Sequence, residues 1–88
     1  MIELGKKSEI FGADKLRLLN LSGWPNRMPT LVGKERVICG YNQGLDERMF
    51  VCESVEDMQR LYDAYARGGA ISICWYIGDD SRFVAVKV

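Results

Sequence analysis

Residues 54–69 read SVEDMQRLYDAYARGG, and this stretch decides the fold class. Ser54 is suited to cap a helix beginning at Val55. Asp57, three positions on, supplies the acid of a capping box, and Glu56 stands at the positive end of the helix dipole. Val55, Met58, Leu61, Tyr62 and Tyr65 recur at helical spacing and make one apolar stripe. Gly68-Gly69 then stops the helix, because glycine enters the left-handed cap conformation without a steric penalty. A helix over about 54–67 is expected. Its other face carries Glu56, Arg60, Asp63 and Arg67, alternating charges at the intervals of a solvated helix surface.

Strand signals flank this helix on both sides. Arg36–Asn42 and Arg48–Glu53 read as a hairpin around Gln43-Gly44-Leu45-Asp46, with Val37, Cys39 and Tyr41 alternating against Ile38 and Gly40. Ala70–Ile77 and Arg82–Val88 read as a second hairpin around Gly78-Asp79-Asp80-Ser81, which is turn chemistry. In its first strand Ile71, Ile73, Trp75 and Ile77 are expected to face the helix, and Ser72, Cys74 and Tyr76 to face away. In its last strand Phe83 and Ala85 alternate with Val84, Val86 and Val88, so both faces are apolar apart from Lys87. That places the strand inside the sheet or against a partner. The expected architecture is a single α+β domain over 1–88: an antiparallel sheet of four to five strands with the 54–67 helix packed on one face.

The first 35 residues carry weaker signals. Asp14–Leu21 reads as a short helix started by Asp14 or as a strand in which Leu16 and Leu18 alternate with Lys15 and Arg17, with the strand preferred. Ser22–Gly33 is loop, punctuated by Gly23, Pro25, Pro29 and Gly33.

Composition narrows the class further. Eighty-eight residues, 48% of them apolar and 27% charged, suit one folded domain with no second core. A domain this small has a stability margin of about 5 kcal/mol, so association, including a homodimer through strand edges or sheet faces, is a reasonable expectation. Twelve basic and twelve acidic residues cancel, but unevenly: residues 1–36 hold seven basic against four acidic, and residues 37–88 five against eight. Such polarity orients a partner through complementary fields. Cys39, Cys52 and Cys74 sit singly in expected strands, an odd count without the spacing of a disulfide framework or zinc site. Lys6 and Lys7 are followed by no apolar run of the kind a secretory signal contains, so a cytoplasmic location is expected.

Catalytic signatures are sparse. The chain has no histidine, which removes the commonest general base and zinc ligand together. Cys52 lies two residues before the expected N-cap, but a strand position reads as a packed thiol. Asp46-Glu47 and Asp79-Asp80 fall in turns, where aspartate bonds its own backbone, and neither pair fits a calcium loop. Gly33-Lys34-Glu35 fails the third position of a phosphate-binding loop. No enzyme activity, cofactor or metal is expected.

Binding signatures are richer. Tyr41, Phe50, Trp75, Tyr76 and Phe83 offer aromatic surface in or near a sheet, which in some proteins stacks bases. A nucleic-acid role would have to use Lys6, Lys7, Lys15, Arg17, Arg27 and Lys34, the basic residues of the N-terminal third. The loop Gly23-Trp24-Pro25-Asn26-Arg27-Met28-Pro29 gathers residue types that dominate protein interfaces, held between prolines that lower the entropy lost on docking. Trp24, Asn26, Arg27 and Met28 are therefore candidate protein contacts; alternatively, Trp24 and Met28 fold back to plug one end of the sheet. The function expected is protein binding, as a small inhibitor, adaptor or regulator of the kind phages and mobile elements encode. The alternatives are nucleic-acid binding through the basic third, or a small-molecule or nucleotide sponge at a dimer interface.

Overall fold

The computed structural model describes residues 2–42, 44, 46–66 and 72–86. Its strands are β1 (Ile2–Lys6), β2 (Ile10–Phe11), β3 (Arg17–Leu18), β4 (Glu35–Asn42), β5 (Glu47–Cys52), β6 (Ile73–Asp79) and β7 (Val84–Ala85), and its helix is α1 (Val55–Leu61). Five strands form one antiparallel sheet in the order β1-β5-β4-β6-β3, and β2 pairs with β7 as a separate two-stranded ribbon. Among the described residues no helix is long and apolar enough to cross a membrane.

The central hairpin forms as its alternation demands. Val37 pairs with Cys52, Cys39 with Phe50 and Tyr41 with Arg48. Val37, Cys39, Tyr41, Phe50 and Cys52 then project to one face, where Met58 and Leu61 close over them. Ser54 caps α1 as expected, its Oγ accepting from the Asp57 N–H at 3.2 Å. The reciprocal bond reaches one residue further back than a standard capping box, since the Asp57 carboxylate accepts from the Glu53 N–H at 3.1 Å. Beyond Leu61 the helix widens into a π turn over Tyr62–Ala66. Tyr65 stacks on Tyr41 there, with centroids 3.9 Å apart and planes 12° from parallel. The expected end of the helix at Arg67, its Gly68-Gly69 stop, Ala70, Ile71, Gln43, Leu45, Lys87 and Val88 lie outside the described residues.

The second hairpin does not form. Along its inner edge β6 pairs with β4, and its outer edge is taken by Arg17 and Leu18, opposite Ile77 and Tyr76. After β6 the Asp79 carboxylate accepts from both the backbone N–H (3.0 Å) and the hydroxyl (2.7 Å) of Ser81, closing a tight turn over Asp80–Arg82. The chain is thereby turned off the sheet edge and passes beneath the sheet. Phe83 is buried there, and Val84–Ala85 pairs with Ile10–Phe11 instead. The last strand is thus neither inside the main sheet nor against its edge, and Val84 and Val86 face outward.

The sheet is consequently covered on both faces. Ile38, Met49 and Val51 point away from α1 and pack against Ile10, Ala13 and Phe83, with Leu4, Leu16 and Tyr76 at the margin. Ile73 and Trp75 pack on the helix side as their alternation implied, while Tyr76 packs on the other. The expected strand at Asp14–Leu21 shortens to Arg17–Leu18, preceded by a single 3₁₀ turn at Ala13–Lys15. Its alternation breaks at Leu18, which is exposed, whereas Leu16 packs on the core away from α1 and Leu19 and Leu21 on the core beneath it.

Candidate functional site

The loop that follows β3 returns across the helix side of the sheet. Leu19, Leu21, Trp24, Met28 and Leu31 all pack against the core beneath α1. Trp24 meets Tyr62 edge-on at 5.0 Å and Trp75 at 5.8 Å between ring centroids. Its indole N–H is buried and donates to nothing among the described residues. The aliphatic stem of Arg27 folds over Gly23, where a β-carbon would stand 3.0 Å from the Arg27 Cδ. Of the four candidate contacts, Trp24 and Met28 are half-buried on the core, whereas Asn26 and Arg27 are exposed at the loop tip.

The basic residues do not converge. Lys7 pairs with Glu47 at 3.2 Å and lies 5.6 Å from the Tyr76 ring centroid, on the face opposite α1. Arg17 pairs with Glu35 at 2.5 Å on the sheet edge. Arg27 belongs to the loop on the helix side. Lys6, Lys15 and Lys34 are exposed at three separate places along the chain. Two of the six charges are therefore met by internal carboxylates, and the set is divided between both sides of the sheet.

The ribbon β2–β7 presents a feature not anticipated from the sequence. Phe11 pairs directly with Val84, so the two side chains share one side of the ribbon. Val86 lies two residues beyond Val84 and extends the pairing by donating its N–H to the Glu9 carbonyl at 2.8 Å. Phe11, Val84 and Val86 are 69%, 59% and 53% exposed, and so form a row of large apolar side chains in solvent. Its signal in the sequence is the two-sided apolarity of residues 83–86, which suits a place inside the sheet or against a partner; the structure excludes the sheet interior. The row ends in a cleft of ≈ 560 Å³ lined by Phe11, Gly12, Asp14, Lys15 and Arg82.

The buried polar groups have structural work. Tyr76 donates its hydroxyl to Glu47 at 3.0 Å, and Glu47 also holds Lys7. Burial and this bond to a carboxylate push the Tyr76 phenol up. Cys39 and Cys52 are fully buried; burial drives the Cys39 thiol far up and, with Asp57 nearby, the Cys52 thiol up to about 12. A thiol held protonated in this way is a poor nucleophile. Among the described residues no three histidine, cysteine or acidic side chains come together as metal ligands would. No family model, curated protein or solved structure matches the chain.

Proposed function

We propose that the chain is a non-enzymatic protein-binding module, a compact inhibitor, adaptor or regulator acting in a reducing, cytoplasmic setting. The observation that carries this reading is the row Phe11–Val84–Val86. Large apolar side chains placed side by side in solvent mark interaction surfaces, since each forgoes the burial that folding would otherwise give it. The lack of histidine, the two inert thiols and the three free cysteines agree with a binding role in a reducing compartment. The ribbon lies on the face opposite the Gly23–Pro29 loop, so Asn26 and Arg27 belong to a second, separate surface.

The test is to purify the tagged chain from its natural cell with nuclease treatment and identify what is retained in near-stoichiometric amount. The expected result is one protein, lost from the double variant Phe11→Ser/Val84→Ser and retained by Trp24→Ala/Arg27→Ala. Loss only from the loop variant would move the contact to the Trp24 loop. Retention of nucleic acid alone, in the absence of nuclease, would replace protein binding with the basic-residue reading. The same row is where a second copy would dock, and light scattering at micromolar concentrations separates a homodimer from a monomer awaiting a different partner.

A further inference from the structure

We propose that the cleft formed by Phe11, Gly12, Asp14, Lys15 and Arg82 is a binding site for a small aromatic or apolar acid, a molecule with one anionic head on a flat hydrophobic body. Its volume of ≈ 560 Å³ falls within the roughly 300–1,000 Å³ that small-molecule sites occupy. The Phe11 ring, mostly free of protein contacts, supplies an apolar wall on which a planar group can stack.

The anionic head follows from the two cations in the lining. Lys15 makes no ion pair with any described residue. Arg82 is exposed, and its Nε stands 4.0 Å from the Asp79 carboxylate, the outer limit of an ion pair, so its remaining donors are free to turn toward a ligand. Asp14, in the same lining, disfavours a second negative charge and accepts a hydrogen bond from a hydroxyl or amino group on the ligand.

The cleft is held together by Gly12. Its φ is +89°, and a β-carbon there would stand 2.6 Å from the Arg82 carbonyl oxygen. Only glycine lets the ribbon approach the Asp80–Arg82 turn this closely. The Lys15 N–H donates to the Gly12 carbonyl at 2.9 Å and so closes the neighbouring turn over Ala13–Lys15. Phe11, Lys15 and Arg82 are thus brought to one rim by backbone geometry rather than by chance exposure.

The cleft shares Phe11 with the apolar row, but its cations Lys15 and Arg82 lie outside that row, so the two readings are tested separately. The probe is naphthalene-2-carboxylate, titrated into the isotope-labelled full chain, with the neutral naphthalene-2-carboxamide as its isostere. Saturable amide shifts are expected over Phe11–Lys15 and around Arg82. Affinity should be at least about tenfold weaker for the carboxamide and for Lys15→Ala/Arg82→Ala, as loss of charge-assisted bonds implies. Lys15→Arg should retain binding, and unchanged amide shifts elsewhere in the double variant would show that its fold is intact. Equal binding of acid and amide would overturn the anionic specificity. Shifts centred on Trp24, or none that saturate by about 10 mM, where binding is weaker than about 3 kcal/mol, would remove the site. At a chain concentration where light scattering gives a monomer mass, no partner covers Phe11, and the outcome does not depend on whether the apolar row binds one.

Discussion

Gly78 and Phe83 lie so close that a β-carbon on Gly78 would stand 2.8 Å from the Phe83 Cζ. The glycine is the sixth residue of β6, and the phenylalanine is the residue at which the chain, turned under the sheet, enters the second core. The missing side chain leaves the hollow into which the ring fits. This contact, with the Asp79–Ser81 turn between the two residues, takes the C-terminal segment off the sheet and frees Val84 and Val86 to build the outward row.

Gly78→Ala should therefore destabilise the fold by about 1–3 kcal/mol, the cost of overpacking, because its β-carbon meets both Phe83 and Leu16 Cδ2 at 2.8 Å. Urea unfolding measures the loss. In a Phe83→Leu background the same substitution should cost less, with a coupling of about 0.5 kcal/mol or more. Identical costs in the two backgrounds would show that the contact is not formed.

Ser54→Ala should lower stability by about 1 kcal/mol, the usual worth of an N-cap, because the Asp57 N–H then loses its acceptor. In a domain of this size that is a fall in Tm of roughly 4–8 °C. Ser54→Asp should keep most of the stability. A Tm unchanged by alanine would mean that this amide finds another acceptor.

Acid should weaken the fold through carboxylates whose folded-state pKa is lowered. The Glu53 N–H holds the buried Asp57 carboxyl below its ordinary value, and the Ser8 and Ser81 hydroxyls do the same for Asp46 and Asp79. A lowered folded pKa means that the unfolded chain binds more protons, so the contribution is full above the ordinary carboxylate pKa of about 3.9 and disappears as pH falls through the folded value. Urea midpoints should be level from neutrality to about pH 5 and drop steadily below pH 4. Asp57→Asn should flatten that drop; an unchanged acid limb would exclude Asp57 as a contributor.

Thiol labelling should sort the three cysteines by burial. In the native state at mildly alkaline pH Cys74, the half-buried one, should react first with a soluble thiol reagent, and Cys39 and Cys52 only after unfolding. Mass spectrometry of the labelled peptides in buffer and in urea checks this. Native labelling of Cys39 at the rate of Cys74 would contradict a closed core beneath α1.

Local chemistry made much of this architecture legible. The cap at Ser54, the stripe through Met58 and Leu61 and the period-two alternation in Val37–Tyr41 each involve neighbours within a few residues, and each appears in the structure where the pattern places it. The aromatic loop was also visible as a feature, although nothing in its composition distinguishes a tryptophan packed on Tyr62 and Trp75 from one turned outward. β1 and the two-residue β2 were not legible, being too short or too irregular for periodicity to mark, whereas β3 and β7 fall inside the strands expected at Asp14–Leu21 and Arg82–Val88 but are much shorter, and β7 pairs with β2 instead of β6.

The sequence by itself determined the α+β class, the central hairpin and the face of the helix that is buried, because these follow from side-chain periodicity and capping within a single element. Tertiary structure alone decided where residues 83–86 go. Their apolarity fits an inner strand and an outer ribbon equally well, and the choice rests on long-range competition. Arg17 and Leu18 occupy the edge of β6, the Asp79–Ser81 turn deflects the chain, and Gly78 leaves room for Phe83 beneath the sheet. The apolar row and the cleft at Lys15 and Arg82 exist only because that competition is resolved in this way.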